Sequence, residues 1–254
     1  MDGYGSAAGV VLAGGSGSRL GAAGNKVYLP LAGRPLLAWS LSAFAAAGVG
    51  RLVLVVRAQD RELAEQVAVK VAAPVEIVLG GPSRHASEHN GLARLATQID
   101  AGGLDVVAIH DGARPFVRPA LVRACLDEAR RYGAAVPGVA MDGVGTTVGS
   151  EVTEVTEGGE GAADGRPRLN PLPKDTGPLV RVQTPQAFRA GPLLAAYQRA
   201  AVDGFTGTDT AACVERYTGI RIHHLTGDVR NIKVTFQHDL AVAEALAQVL
   251  PVCS

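Results

Sequence analysis

Short apolar runs, many of them β-branched, alternate along this chain with alanine-rich stretches of helical period. VVLA (10–13), RLVLVVR (51–57), VEIVLGG (75–81), the start of DVVAIHDGARPF (105–116) and AAVPGVAM (134–141) read as strands. Between them, PLLAWSLSAFAAAG (35–48), RELAEQVAVKVA (61–72), SEHNGLARLATQI (87–99) and PALVRACLDEARRYG (119–133) read as helices, the first stopped by Gly48. Strands that are apolar on both faces and separated by amphipathic helices predict an α/β fold, its parallel sheet covered on both sides. Such sheets take ligands at the carboxyl ends of their strands. A glycine-rich turn after Ala13 and the loop HDGARPF both fall at such ends.

The alternation breaks between Asp142 and about Val180, where the centre reads TEVTEGGEGAADGRP. A segment of that length is either a surface loop or an interaction arm, and VTEVTE is suited to an exposed strand that pairs with another subunit. Order resumes at QTPQAF (183–188), followed by the helix GPLLAAYQRAAVDG. TDTAACVERYTG (208–219) reads as a helix with Thr208 as its N-cap. IRIHHLTG reads as a strand, NIKVTF (231–236) as an extended piece and HDLAVAEALAQVL as a closing helix.

The first strand–turn–helix carries the plainest chemical signal. In LAGGSGSRLGAAGNK, Gly14, Gly15 and Gly17 allow the backbone to close around a ligand, and the N–H groups opening the next helix favour an anion. Arg19 and Lys26 add two cations, which suits a triphosphate. The turn is neither a dinucleotide fingerprint, since Arg19 stands in it and no ribose-binding acid follows the second strand, nor a P-loop. In HDGARPF, Asp111 ends a strand where a carboxylate can hold Mg²⁺ beside substrate phosphates. Arg114 can hold Asp111 or touch a ligand phosphate. His110 reads as a packed, hydrogen-bonding residue. His85 and His89 have helical spacing but lack a third metal ligand, whereas Ser87 lies behind Gly80 and Gly81 where a nucleotide can be touched. Lys233, between Ile232 and Val234, is either the outward residue of an edge strand or a cation turned into a cleft.

Composition narrows the classes. The 254 residues are 47% hydrophobic, ample for a sizeable core, and 24 basic residues balance 24 acidic ones. With no net field to attract nucleic acid, phosphate binding has to come from local placement. No apolar run has the length of a membrane span, and MDGYGSAAG does not read as a signal peptide. Three scattered cysteines, Cys125, Cys213 and Cys253, form no CxxC pair. They fit reduced thiols in a cytoplasmic protein.

Taken in order, AGGSGSRLGAAGNK, GGPSRHAS, HDGARPF, QTPQAF, TDTA, NIKVT and DLAVAEAL resemble the 2-C-methyl-D-erythritol 4-phosphate and ribitol-5-phosphate cytidylyltransferases, from about Ala8 to Leu246. The resemblance implies one domain over 1–254 with a three-layer Rossmann-like nucleotidyltransferase fold and a mostly parallel sheet. It further implies an extended dimerisation arm near 142–176. The implied reaction is transfer of CMP from CTP to a polyol phosphate with release of pyrophosphate. The leading acceptor is 2-C-methyl-D-erythritol 4-phosphate, in non-mevalonate isoprenoid precursor synthesis. Ribitol 5-phosphate or another alditol phosphate or phosphonate is the alternative, and a non-catalytic nucleotide-binding paralogue is a third reading. In site terms, Ala13, Gly14, Gly15 and Gly17 would wrap CTP, and Gly81 and Ser87 would meet cytidine. Arg19 and Lys26 would stabilise charge on the α-phosphate and pyrophosphate. Asp111 would serve the metal–nucleotide site with Arg114 near it, Thr208 would bond the polyol phosphate, and Lys233 would hold the incoming phosphate. The expected arrangement is a cytoplasmic homodimer with Mg²⁺, binding neither nucleic acid nor membrane. The chain departs from the family pattern at Asn25, where proline is usual, and at MDGVGTTVG, which has Asp142 but no lysine. It departs again at Thr176, where the arm arginine would fall, with Lys174 and Arg181 as the nearby cations.

Overall fold

The computed structural model describes residues 3–15, 24–141, 180–207 and 209–249. Gly17, Arg19, Thr208 and the expected arm lie outside the described residues.

The alternation of the sequence becomes a layered α/β fold. Strand β1 (Ala7–Ala13) leads through a 3₁₀ turn at Lys26–Tyr28 to the two-residue strands β2 (Pro30–Leu31) and β3 (Arg34–Pro35). Helix α1 (Leu36–Ala47), β4 (Arg51–Val56), α2 (Arg61–Ala68), β5 (Val75–Leu79), α3 (Arg84–Asp100), β6 (Val106–Asp111), α4 (Pro119–Tyr132) and β7 (Ala134–Ala140) follow in strict alternation. After the break come β8 (Val180–Val182), β9 (Gln186–Arg189), α5 (Ala190–Asp203), α6 (Thr210–Tyr217), β10 (His223–Thr226) and α7 (Gln237–Val249). The main sheet runs β10-β7-β9-β6-β1-β4-β5, with β8 beside β7. Pairs β1–β4, β1–β6, β4–β5 and β7–β10 are parallel. Strand β9 enters antiparallel between β6 and β7, burying Ala187 and Phe188.

Two cores follow from strands that are apolar on both faces. On one side Leu37, Leu41 and Phe44 of α1, Val67 of α2 and Leu126 of α4 meet Val11 and Leu54. On the other, Leu92 and Leu95 of α3, Tyr197 of α5 and Val214 of α6 meet Val10 and Val55. A smaller cluster joins Leu31, Trp39 and Phe116 to Val234 and to Ala243 of α7. Helix ends obey local rules: Gly48 closes α1 in the left-handed conformation at φ 85°. At α6 the N-cap is Asp209, which accepts from the Ala212 N–H. The cap expected at Thr208 is therefore one residue off, and Thr210 is the first helical residue.

The chain goes outward from β1 to β4 and β5, then returns to the other flank of β1 with β6. This reversal opens a crevice at the carboxyl ends of β1 and β6, the place where open α/β sheets bind ligands. Leu12 pairs with Asp111 in the register, and the Gly112 N–H donates to the Leu12 carbonyl at 2.9 Å. A Cβ on Gly112 would come within 3.0 Å of that oxygen, so the close approach requires glycine.

Candidate active site

A pocket of about 580 Å³ occupies this crevice. Gly14, Gly15 and Lys26 line it from the end of β1, and Gly81, Ser83, Arg84 and Ser87 from the start of α3. Asp111 ends β6 and Ala113 follows it, and Lys233 and Thr235 close the remaining side.

Each wall has a local cause. Asn25 is buried and sends Nδ2 to the Ala13 carbonyl at 2.5 Å and to Asp60 at 2.9 Å. Its Oδ1 accepts from the Val27 N–H, capping the 3₁₀ turn that Lys26 begins. Arg57 in turn grips Asp60 through two hydrogen bonds of 2.6 and 2.9 Å. Lys26 is thus fixed to the glycine cradle by buried polar contacts. Ala13 itself is buried and contributes its carbonyl to this support.

Helix α3 points its N-terminus at the pocket. Ser83 caps it, accepting from the Ala86 N–H at 3.0 Å, and free N–H groups at such an end favour an anion. The Ser87 hydroxyl donates to the Ser83 carbonyl at 2.9 Å and accepts from the Gly81 N–H at 3.1 Å. Ser87 therefore folds the Gly80–Gly81 turn back over the helix start. A Cβ at Gly81 would press on Ala86 at 2.5 Å.

Asp111 is the electrostatic centre. Its Oδ1 accepts from Arg84, while Oδ2 lies 2.9 Å from the Lys233 ammonium and 3.7 Å from Arg114 Nε. Burial works against its charge, yet Arg84, Lys233 and Arg114 hold the carboxyl well below the usual range. Arg114 does not line the pocket. Its Nη1 donates to the Asn231 carbonyl at 2.9 Å, tying the loop before Lys233 to the loop that follows β6. Burial, Arg84 and Arg181 lower the Arg114 pKa, so Arg181 of β8 lies within electrostatic reach. Lys174 is outside the described residues.

Lys233 owes its direction to its neighbours. Val234 is fully buried, and its N–H donates to the Ala113 carbonyl at 2.9 Å, while Ile232 packs on the same cluster. An extended segment alternates its sides, so Lys233 turns the other way, to Asp111. Gln183 supports the same loop, donating to the Asp228 carbonyl at 2.8 Å and accepting from the Asp228 N–H. His110 is wholly buried between Phe44 and Thr184.

The pocket therefore unites Gly14, Gly15, Lys26, Gly81, Ser87, Asp111 and Lys233, with Ala13 and Arg114 directly behind it. Arg84 is not among the residues that the sequence motifs point to, although Ser83 as N-cap and an Arg84/Glu88 pair at helical spacing are a signal for it.

Comparison with known proteins decides the family. The sequence pattern of the 2-C-methyl-D-erythritol 4-phosphate cytidylyltransferases matches residues 7–158 and 173–248. The chain belongs to this cytidylyltransferase family. The member from Geobacillus kaustophilus (strain HTA426) is 37% identical over 243 residues, covering 93% of this chain and 95% of that protein. The Thermobifida fusca (strain YX) cytidylyltransferase is 41% identical over 249 residues, covering 94% and 92% respectively. The crystal structure of the 2-C-methyl-D-erythritol 4-phosphate cytidylyltransferase from Thermus thermophilus superposes with a TM-score of 0.65 at 29% identity, covering 95% of this chain and 98% of that one.

Proposed function

We propose that this chain transfers CMP from CTP to 2-C-methyl-D-erythritol 4-phosphate and releases pyrophosphate, the activity for which its relatives are named. The observation that carries the reading is Asp111 held by Arg84 and Lys233 at the pocket wall and by Arg114 behind it, opposite the Gly14–Gly15 cradle. That arrangement favours two phosphate-bearing ligands meeting at one point.

In this reading Ala13, Gly14, Gly15 and Gly17 wrap the triphosphate, and Gly81 and Ser87 shape the cytidine end. The acceptor phosphate is already a nucleophile, so no covalent enzyme intermediate is needed. Its oxygen forms a bond to the α-phosphorus of CTP while the bond to the β-phosphate bridge breaks and pyrophosphate leaves. Arg19 and Lys26 neutralise charge growing on the α-phosphate and the leaving group, and Lys233 holds the incoming phosphate. Thr208 bonds the polyol phosphate, and Arg181, within electrostatic reach of Arg114, is a described cation suited to the acceptor side. Catalysis is then positioning and charge neutralisation.

A divalent cation fits this chemistry. Asp111 is the one carboxylate lining the pocket among the described residues, and magnesium commonly uses one or two carboxylates together with substrate phosphates. Mg²⁺ bound with CTP would be held by phosphate oxygens and Asp111, where it would offset charge on the pyrophosphate. We further propose a cytoplasmic homodimer assembled through the 142–176 arm, which sedimentation of the full chain tests.

The deciding experiment measures pyrophosphate release with CTP, UTP and ATP against a panel of polyol phosphates. Release with CTP and 2-C-methyl-D-erythritol 4-phosphate alone is expected. Release with ribitol 5-phosphate instead would move the chain to that acceptor, and CTP binding without release would make it a binding module.

A further inference from the structure

The Glu88 carboxylate lies in the second turn of α3, fully buried, in a position that packing alone would fill with an apolar side chain. Burying a carboxylate is costly unless its oxygens are met. Here two hydroxyl donors and one cation converge. Tyr197 of α5 donates to Oε2, Thr210 of α6 donates to Oε1 at 3.0 Å, and Arg84 Nε forms an ion pair with Oε1 at 3.0 Å. The hydrogen-bonding partners come from two other helices, and the cationic partner faces the pocket. Arg84 thus spans two carboxylates, Glu88 behind it and Asp111 in front. The Arg84 side chain is 30% exposed where Glu88 is 1% exposed, so the guanidinium bridges interior and pocket.

We infer that Glu88, held by Tyr197 and Thr210, is a positioning residue that fixes the Arg84 guanidinium at the pocket wall for phosphate recognition. The inference rests on the nucleotide reading of the pocket. Two features support it beyond packing. First, Arg84 carries one of the three cations on Asp111, so a shift of Arg84 redistributes the contacts of Arg114 and Lys233. Second, Thr210 opens α6 directly after Asp209, which is itself held by Gln186 Nε2 at 3.1 Å. One carboxylate thereby joins the start of α3, the α5–α6 pair and the polar centre of the pocket. Without it, Arg84 is free to fold onto Asp111 alone.

The sign of the effect separates positioning from mere charge. Neutralising a nearby carboxylate makes the pocket more cationic and by charge alone tightens anion binding. Loss of a positioning carboxylate weakens it. The test measures the affinity of the full chain for CTP and for pyrophosphate by calorimetry in wild type, Glu88→Gln, Arg84→Met and the double variant. Glu88→Gln is expected to weaken both ligands by about tenfold, and to add nothing in the Arg84→Met background, as residues acting through one another behave. Unchanged or tighter binding in Glu88→Gln, or additive losses in the double variant, would overturn the inference. Tyr197→Phe and Thr210→Val keep the charge and remove one donor each. They should weaken pyrophosphate by about threefold, on the scale of one hydrogen bond, and serve if Glu88→Gln does not fold. Unchanged binding in both would equally overturn it. A wild-type chain that binds pyrophosphate yet transfers nothing in the acceptor panel refutes the transfer reading alone. A wild-type chain that binds neither ligand refutes both.

Discussion

The Lys233 ammonium lies 2.9 Å from the Asp111 carboxylate, held there by Ile232 and Val234 packing away from the pocket. Its place depends on backbone and apolar contacts, not on its own charge. Lys233→Met removes one of the three cations on buried Asp111, so with Arg84 and Arg114 remaining it should lower the melting temperature only modestly while cutting turnover by about a hundredfold, the scale of one lost charge-stabilising group. Pyrophosphate release and a thermal melt on the same preparation check both halves. Turnover near wild type would remove Lys233 from the mechanism.

Lys26 and Asn25 make a graded pair. Lys26→Ala should cut turnover by about a hundredfold or more with the fold retained. Asn25→Ala keeps the Lys26 side chain but strips the bonds to Ala13 and Asp60 that fix its turn. It should destabilise the protein by about 1–3 kcal/mol, the usual cost of orphaned buried polar groups, and lower turnover less than loss of Lys26. Urea unfolding alongside the activity assay tests the order, and a larger activity loss in Asn25→Ala would contradict it.

The parallel core and the location of the pocket were legible because short apolar runs and glycine turns are local signals. Val10 to Ala13, Asp111 at the end of β6 and Gly48 after α1 can all be read from a few neighbouring residues. Long-range placement was less visible. Strand β9 lies antiparallel between β6 and β7, an insertion no local pattern in QTPQAF encodes. The direction of Lys233 was undecided from NIKVT because the answer lies in the bond from Val234 to Ala113 and in the packing of its neighbours on Trp39 and α7. The role of Arg84 needed Asp111 and Glu88 together, two residues that meet only in the folded chain. The α6 cap fell on Asp209 and not Thr208 because either side chain can cap and only the backbone chooses.

Gly91 sits where α3 presses on the sheet. A Cβ there would stand 2.7 Å from Val10 Cγ1 and 3.0 Å from Val55 Cγ2, two stiff side chains. Gly91→Ala should force α3 outward and cost about 1–3 kcal/mol as an overpacked core site. Gly191, in the first turn of α5, has open space around it, with nothing within 4 Å of where a Cβ would stand. Gly191→Ala should be neutral or stabilising by up to about 1 kcal/mol through helix propensity. Paired denaturant melts decide, and equal effects at both sites would refute the packing argument.

His110 links the pocket to pH. Thr184 Oγ1 accepts from the Asp111 N–H at 3.0 Å and lies 2.9 Å from His110 Nδ1, while Nε2 faces the Arg114 carbonyl at 3.3 Å. A carbonyl can only accept, so Nε2 carries the proton, and Nδ1 accepts from the threonine hydroxyl. This neutral imidazole is complete as it stands. Burial, with Arg114 adding to it, pushes its pKa down to about 3 despite Asp111. In the unfolded chain the same group titrates at ~6.5. Between those values the unfolded state binds the extra proton, so stability falls as the pH drops from ~6.5 towards about 3, by about 1.4 kcal/mol per pH unit for this one group. Asp111 acts lower, its contribution being lost only as the pH falls below ~3.9, outside a comparison of pH 7 with pH 5. His85 and His224 also shift downward through burial, so the measurement is a difference: urea unfolding of wild type and His110→Gln at the two pH values. The variant should lose less stability than wild type on acidification. An equal loss in both would show that His110 takes up its proton in the folded state, against the buried neutral ring.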